Sequence, residues 1–143
     1  MKSLRLLVAL SALVPAVASA NPVHSSWANQ PGSLTLLGTT QTPASVDTAV
    51  SWNIGTSFAF AYARAKTSAG DTYEFQLVSA APIAQMDRID GTWNVTRNGV
   101  ALCSQCTGFV SGLSSWMGKP LTISVDGGNY AMSPIITSRY DIH

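Results

Sequence analysis

Cys103 and Cys106 stand two residues apart in "VALCSQCTGFV" and are the only cysteines in the chain. A pair at this spacing can anchor haem, supply half of a metal site, run thiol–disulfide exchange or close a local disulfide. Haem attachment requires a histidine directly after the second cysteine, and Thr107 occupies that place. A zinc site requires four ligands, and beyond the first twenty residues the chain offers only His24 and His143, near its two ends. Thiol exchange works best where a helix N-terminus or a nearby cation lowers a thiol's pKa. Here the pair runs into the glycine-containing "TGFVSG", and no Lys, Arg or His lies between Arg97 and Lys119. The residues therefore point to a structural disulfide, Cys103 to Cys106, with no metal and no cofactor. In the chain-entropy account such a short ring stabilises by about 2 kcal/mol.

Other chemistry is sparse. Glu74 is the only glutamate, and its place beside Tyr73 and Phe75 in an alternating run puts it on the opposite, solvent-facing side. Asp87, Arg88 and Asp90 form a small charged cluster in "QMDRIDG", which reads as a solvated turn before a strand. There is no Gly-x-Ser-x-Gly elbow, and a serine triad would have to borrow His24 or His143. "VDGGN" at 125–129 offers too few oxygen ligands for a calcium loop. Asn94-Val95-Thr96 matches the N-glycosylation sequon. No catalytic residue emerges.

Four tryptophans remain: Trp27, Trp52, Trp93 and Trp116. Trp93, in step with Val95, belongs to a core. Trp116, in the loop-like "GLSSWMGKP", is the one expected to meet solvent and a partner, since exposed aromatics on β scaffolds anchor interfaces or stack on sugars. With Arg97 and Lys119 it makes the candidate binding surface, close in sequence to the stapled pair.

The elements that must position these residues follow period two. In "SFAFAYARA" Phe58, Phe60, Tyr62 and Arg64 fall on one face and Ala59, Ala61 and Ala63 on the other, so the run is a strand despite its alanines. The row of alanines leaves room for a packed neighbour, and both faces are expected to be covered. "TYEFQLVS" follows across Gly70 and Asp71 as the second arm of a hairpin. "TWNVTR" and "VALC" flank Asn98-Gly99, a pair suited to the positive φ angles of a type I′ turn. "LTISVD" and "YAMSPII" flank Gly127-Gly128, and "SLTLLG" and "VDTAVSWNI" supply earlier strands. Residues 80–89, "AAPIAQMDRI", could hold one helical turn after Pro82. The fold class is all-β: an antiparallel β-sandwich or small β-barrel of about 7–8 short strands.

The first twenty residues join Lys2 and Arg5 to an apolar run and end in Ala18-Ser19-Ala20, the layout of a cleaved secretory signal. Residues 21–31, with two prolines and little periodicity, read as an extended N-terminal arm held by Trp27, and 32–143 as a single all-β domain. Without the leader, six basic residues face seven acidic ones, so no basic stripe exists to hold nucleic acid. The apolar run of the leader is broken by Ser11 and Pro15 and is too short for a transmembrane anchor, which takes roughly 20 residues. With charged residues at 10% of the chain, the surface must be built from Ser, Thr, Asn, Gln and Gly, which suits polar, uncharged partners. The expected function is an exported, periplasmic or extracellular, non-enzymatic binding domain that presents a disulfide-stapled loop to a protein or carbohydrate partner. Two alternatives are a structural subunit of an extracellular assembly, self-associating through sheet edges, and a thiol-redox enzyme using the Cys103–Cys106 pair.

Overall fold

The computed structural model describes residues 22–27, 32–114 and 118–141. Among them eleven strands form one all-antiparallel sheet: β1 (Pro22–Trp27), β2 (Gly32–Leu36), β3 (Thr39–Gln41), β4 (Ser45–Asn53), β5 (Ala59–Lys66), β6 (Thr72–Ala80), β7 (Arg88–Arg97), β8 (Val100–Ser111), β9 (Thr122–Val125), β10 (Tyr130–Pro134) and β11 (Arg139–Asp141). Their order across the sheet is β11-β1-β4-β5-β6-β7-β8-β9-β10-β2-β3. The two ends do not join by a strand ladder, yet β10 touches β4 across the interior. The sheet is therefore open and curled on itself like a half-barrel, rather than two stacked sheets or a closed barrel of 7–8 strands.

Period two decides which side goes inside. Along β4 the buried residues are Val46, Thr48, Val50 and Trp52, and along β6 Tyr73, Phe75 and Leu77. On β5 the alanines, not the aromatics, face the core: Ala61, Ala63 and Ala65 are fully buried. These small side chains share one core with Trp52, Trp93 and Phe75, which fill much of its volume. The expectation that both faces of β5 are covered is corrected, because Phe58 and Phe60 stand 63% and 48% exposed on the outside.

Neighbouring strands approach most closely where side chains are missing. Ala80, Gly91 and Gly108 are register partners across β6, β7 and β8. A Cβ on Gly91 would fall on the carbonyl oxygen of Ser79 and 2.8 Å from Leu77 Cδ1. A Cβ on Gly108 would lie 2.6 Å from the Ser124 carbonyl oxygen and 2.7 Å from Trp93 Cδ1. Neighbouring backbone and the Trp93 ring occupy the space that side chains would need, so this row admits only glycine at these two positions.

The turns explain the remaining differences. Asn98-Gly99 takes φ of 49° and 82°, as the hairpin signal requires. The same geometry recurs at Leu37-Gly38, with φ of 49° and 84°, and adds β3, a strand that leucine in a turn position does not announce. Within the expected arm, residues 22–27 form a strand that pairs with both β4 and β11. Residues 81–87 are loop rather than helix: buried Ile83 accepts from the Gly55 amide and donates to the Thr56 carbonyl, both at 2.8 Å, so loop-to-loop pairing takes the bonds a helical turn would make. No helix of the described residues is long and apolar enough to cross a membrane.

Candidate functional site

The cysteine pair is a disulfide, and it lies within a strand rather than a loop. Val95 pairs with Cys103 and Trp93 with Cys106, so Ser104 and Gln105 together oppose Asn94. That is a β-bulge: Gln105 takes φ of 52°, and its amide donates to Asn94 Oδ1 at 2.8 Å. The sequon asparagine is thus a working part of the bulge. A second register shift between Val95 and Thr96 leaves Leu102 as another extra residue in β8. Only residues 108–111 of β8 pair with β9, so among the described residues the 100–106 half has a free edge, and the two bulges there spoil it as a template for another strand. Replacing both cysteines by serine is expected to lower stability by about 2 kcal/mol in urea unfolding. A loss below about 0.5 kcal/mol would mean that the bulge holds without its bond.

Arg97 is already employed. It donates to Asp71 Oδ2 at 2.9 Å while Asn98 Nδ2 donates to Asp71 Oδ1 at 2.9 Å, locking the β5–β6 turn to the β7–β8 turn. The hydrogen bonds from Asn98 and then Arg97 hold the Asp71 carboxyl below its ordinary value. Lys119 is exposed at the other end of the β7–β8 hairpin, beyond Ser111. The structure therefore does not bring Arg97 and Lys119 together, and Trp116 lies outside the described residues.

Glu74 is half-buried on the outer face, where Tyr62 donates to its Oε2 at 2.6 Å, and on the neighbouring pair Arg64 donates to Asp47 at 2.9 Å. Burial, reinforced by the bond to Glu74, pushes the Tyr62 hydroxyl up to about 12. These side chains bond one another across β4, β5 and β6, and the cluster is a cross-strand brace.

The charged cluster at 87–90 is where the groups converge. Asp87 accepts from the Ser114 hydroxyl at 2.6 Å and from its amide at 3.3 Å, tying the residues just past β8 to the foot of β7. The Ser114 hydroxyl is the main cause that keeps the Asp87 carboxyl below its usual value. Arg88 and Asp90, two apart on β7, share the outer face. Arg88 donates from Nε at 3.0 Å and from Nη2 at 2.8 Å to the same Asp90 oxygen, and its guanidinium carbon sits 3.8 Å from the centre of the Phe109 ring. Phe109 is the register partner of Asp90 on β7 and of Ser124 on β9, so three strands deliver one outer row.

Around this stack lies a depression of about 480 Å³, bordered also by Thr107 and Asp126, and with Gly108 and Gly127 adding no side chains to it. A second, of about 450 Å³, lies between Arg88–Asp90 and the loop at Pro82, Ala84 and Gln85. The two share Arg88 and Asp90 and make one trough across the outer face. Sequence reasoning places Asp87, Arg88 and Asp90 in a solvated turn and does not single out Phe109. The usable signal is the i, i+2 spacing of Arg88 and Asp90, which share a face once β7 is known to start at Arg88.

Among the described residues no three His, Cys, Asp or Glu side chains gather as a metal site would need. Comparison with family models, with curated proteins and with solved structures gives no match to this chain.

Proposed function

We propose that the chain is exported by its N-terminal leader, residues 1–20, and works outside the cytoplasm as a non-enzymatic binding domain whose partner occupies the outer face of β7, β8 and β9. The observation that carries this reading is the trough over the Arg88–Asp90–Phe109 stack, whose three residues stand on β7 and β8. A rigid sheet holding a few polar groups around an open depression suits recognition, because little ordering is left to be done on binding. Ser114, just past the end of β8, borders this surface through its bond to Asp87. The disulfide contributes by fixing β8, the strand that carries Thr107 and Phe109.

The alternative of an assembly subunit joined through sheet edges gains less support. Edge strand β3 is three residues long, and the free half of β8 is bulged.

The test is a photoreactive diazirine side chain placed at Ser124, in the trough, or at Ser68, in the β5–β6 turn, in the full chain expressed in its own host. The reading expects an N-terminus at Asn21 outside the cytoplasm and a covalent adduct from position 124 but not from 68. Retention in the cytoplasm, or adducts that do not distinguish the two positions, would contradict it.

A further inference from the structure

We infer that the trough binds a neutral polysaccharide, laid across β9, β8 and β7 with the Arg88–Phe109 stack as its platform; this rests on the outer-face reading above and names the ligand class. The argument is one of matching groups. The trough offers two carboxylates, Asp90 and Asp126, two hydroxyls, Thr107 and Ser124, and one guanidinium. Arg88 is already balanced by Asp90, leaving the site with a net charge of about −1 from Asp126, so phosphate, sulfate and nucleic acid would be repelled. The open form gives no enclosed apolar space for a lipid or a hydrophobic small molecule. A polyol uses every group present. Its hydroxyls donate to the carboxylate oxygens and accept from Thr107, Ser124 and the guanidinium, while the C–H face of a sugar ring packs on the flat stack.

Bonding within the protein leaves these groups available. Arg88 uses Nε and Nη2 on a single Asp90 oxygen, and Asp126 receives Asn129 Nδ2 on one oxygen at 3.1 Å. Among the described residues no hydrogen-bond partner is found for the Thr107 or Ser124 hydroxyls. The shape favours a polymer over a single sugar. Strands about 4.8 Å apart put β9 and β7 about 10 Å from each other, and the second depression continues the trough past β7 to Pro82 and Gln85. Gly127, with no side chain, leaves room for a chain to lie low on the sheet. Beyond the trough the same outer row continues as Ala131, Thr35 and Thr40, small residues that would not obstruct a long ligand.

The experiment is native electrophoresis of the full-length protein through gels cast with soluble xylan, mannan, galactan or mixed-linkage glucan, together with sedimentation on cellulose and chitin. At least one of these polymers is expected to retain the wild-type protein. Phe109→Ala is expected to weaken that retention by about tenfold. Because Phe109 is partly buried and its loss could disturb folding, Thr107→Lys, at an exposed position, provides a second variant that fills the trough and is expected to weaken retention comparably. Ser68→Ala should behave as wild type. No retention of the wild type by any of the six polymers, or retention unchanged in both trough variants, overturns the ligand class. Capture by a lysine-rich peptide that Asp126→Asn abolishes also overturns it, while leaving the outer-face reading intact. The diazirine comparison at Ser124 and Ser68 decides that reading separately.

Discussion

Trp93→Ala is expected to remove about 3–5 kcal/mol of stability, most of what a small domain has to lose against a usual total of about 5–15 kcal/mol. The indole is completely buried and sits where the curled sheet turns, pressed towards Gly108 on the neighbouring strand. The glycine has no side chain with which to follow a shrinking neighbour, so the cavity would remain largely open. Urea unfolding should show a lower midpoint with an unchanged slope. Trp93→Phe should cost clearly less than alanine, for two reasons. It keeps most of the ring, and it removes an indole N–H that has no acceptor in the core. A loss near 1 kcal/mol for alanine, or a phenylalanine variant as unstable as the alanine one, would show that the corner does not rest on this side chain.

The opposite change at the same corner is expected to be nearly as damaging. Gly91→Ala adds one methyl group where the Ser79 carbonyl oxygen and Leu77 Cδ1 already stand. A side-chain tip could swing aside, but a carbonyl on a paired strand can move only if the β6–β7 ladder shifts with it. The expected loss is about 2–3 kcal/mol, towards the upper part of the overpacking range. Gly99→Ala separates this steric cost from backbone preference, because Gly99 has φ of 82° and nothing lies within 4 Å of the place its methyl would take. That variant should lose about 1–2 kcal/mol from its backbone angle alone, with β7 and β8 otherwise intact. If Gly91→Ala proves as stable as wild type in thermal and urea unfolding, the close approach of β6 and β7 at this row is wrong.

Both variants act on the feature that is hardest to read in advance. The alternation in "TYEFQLVS" or "LTISVD" directly reports which residues are buried, and Tyr73, Phe75, Ile123 and Val125 lie where it says. Asn98-Gly99 likewise declares its turn through residues that tolerate positive φ. Alternation cannot show how a sheet curls, and the close approach of neighbouring strands depends on Gly91 facing Gly108, a pairing fixed by register between distant residues. The face assigned to the alanines of β5 depends on the same curl, since in a flatter sheet Phe58 and Phe60 would be the natural core.

The candidate site is legible only in pieces. The disulfide can be read from the spacing of Cys103 and Cys106, but its place in a bulge cannot. β8 carries two extra residues, and each reverses the side on which the following residues fall. For the same reason Phe109 cannot be placed opposite Asp90 from sequence, because counting outwards from the Asn98-Gly99 turn without the bulges gives the wrong partner. Arg97 is nominated by its charge, and the structure shows that charge engaged by Asp71. What identifies the trough is a meeting of three strands, and no single stretch of the chain contains it.

The central claim is that the outer face of β7, β8 and β9 is the binding surface of this protein. A titration of the isotopically labelled full-length protein with soluble xylo-, manno-, galacto- and gluco-oligosaccharides, followed amide by amide by NMR, tests it most directly. The account predicts saturable shifts centred on Asp90, Thr107, Phe109 and Ser124 with at least one series, and little change at the β5–β6 turn around Ser68. Shifts centred on that turn, or none with any series, would contradict it.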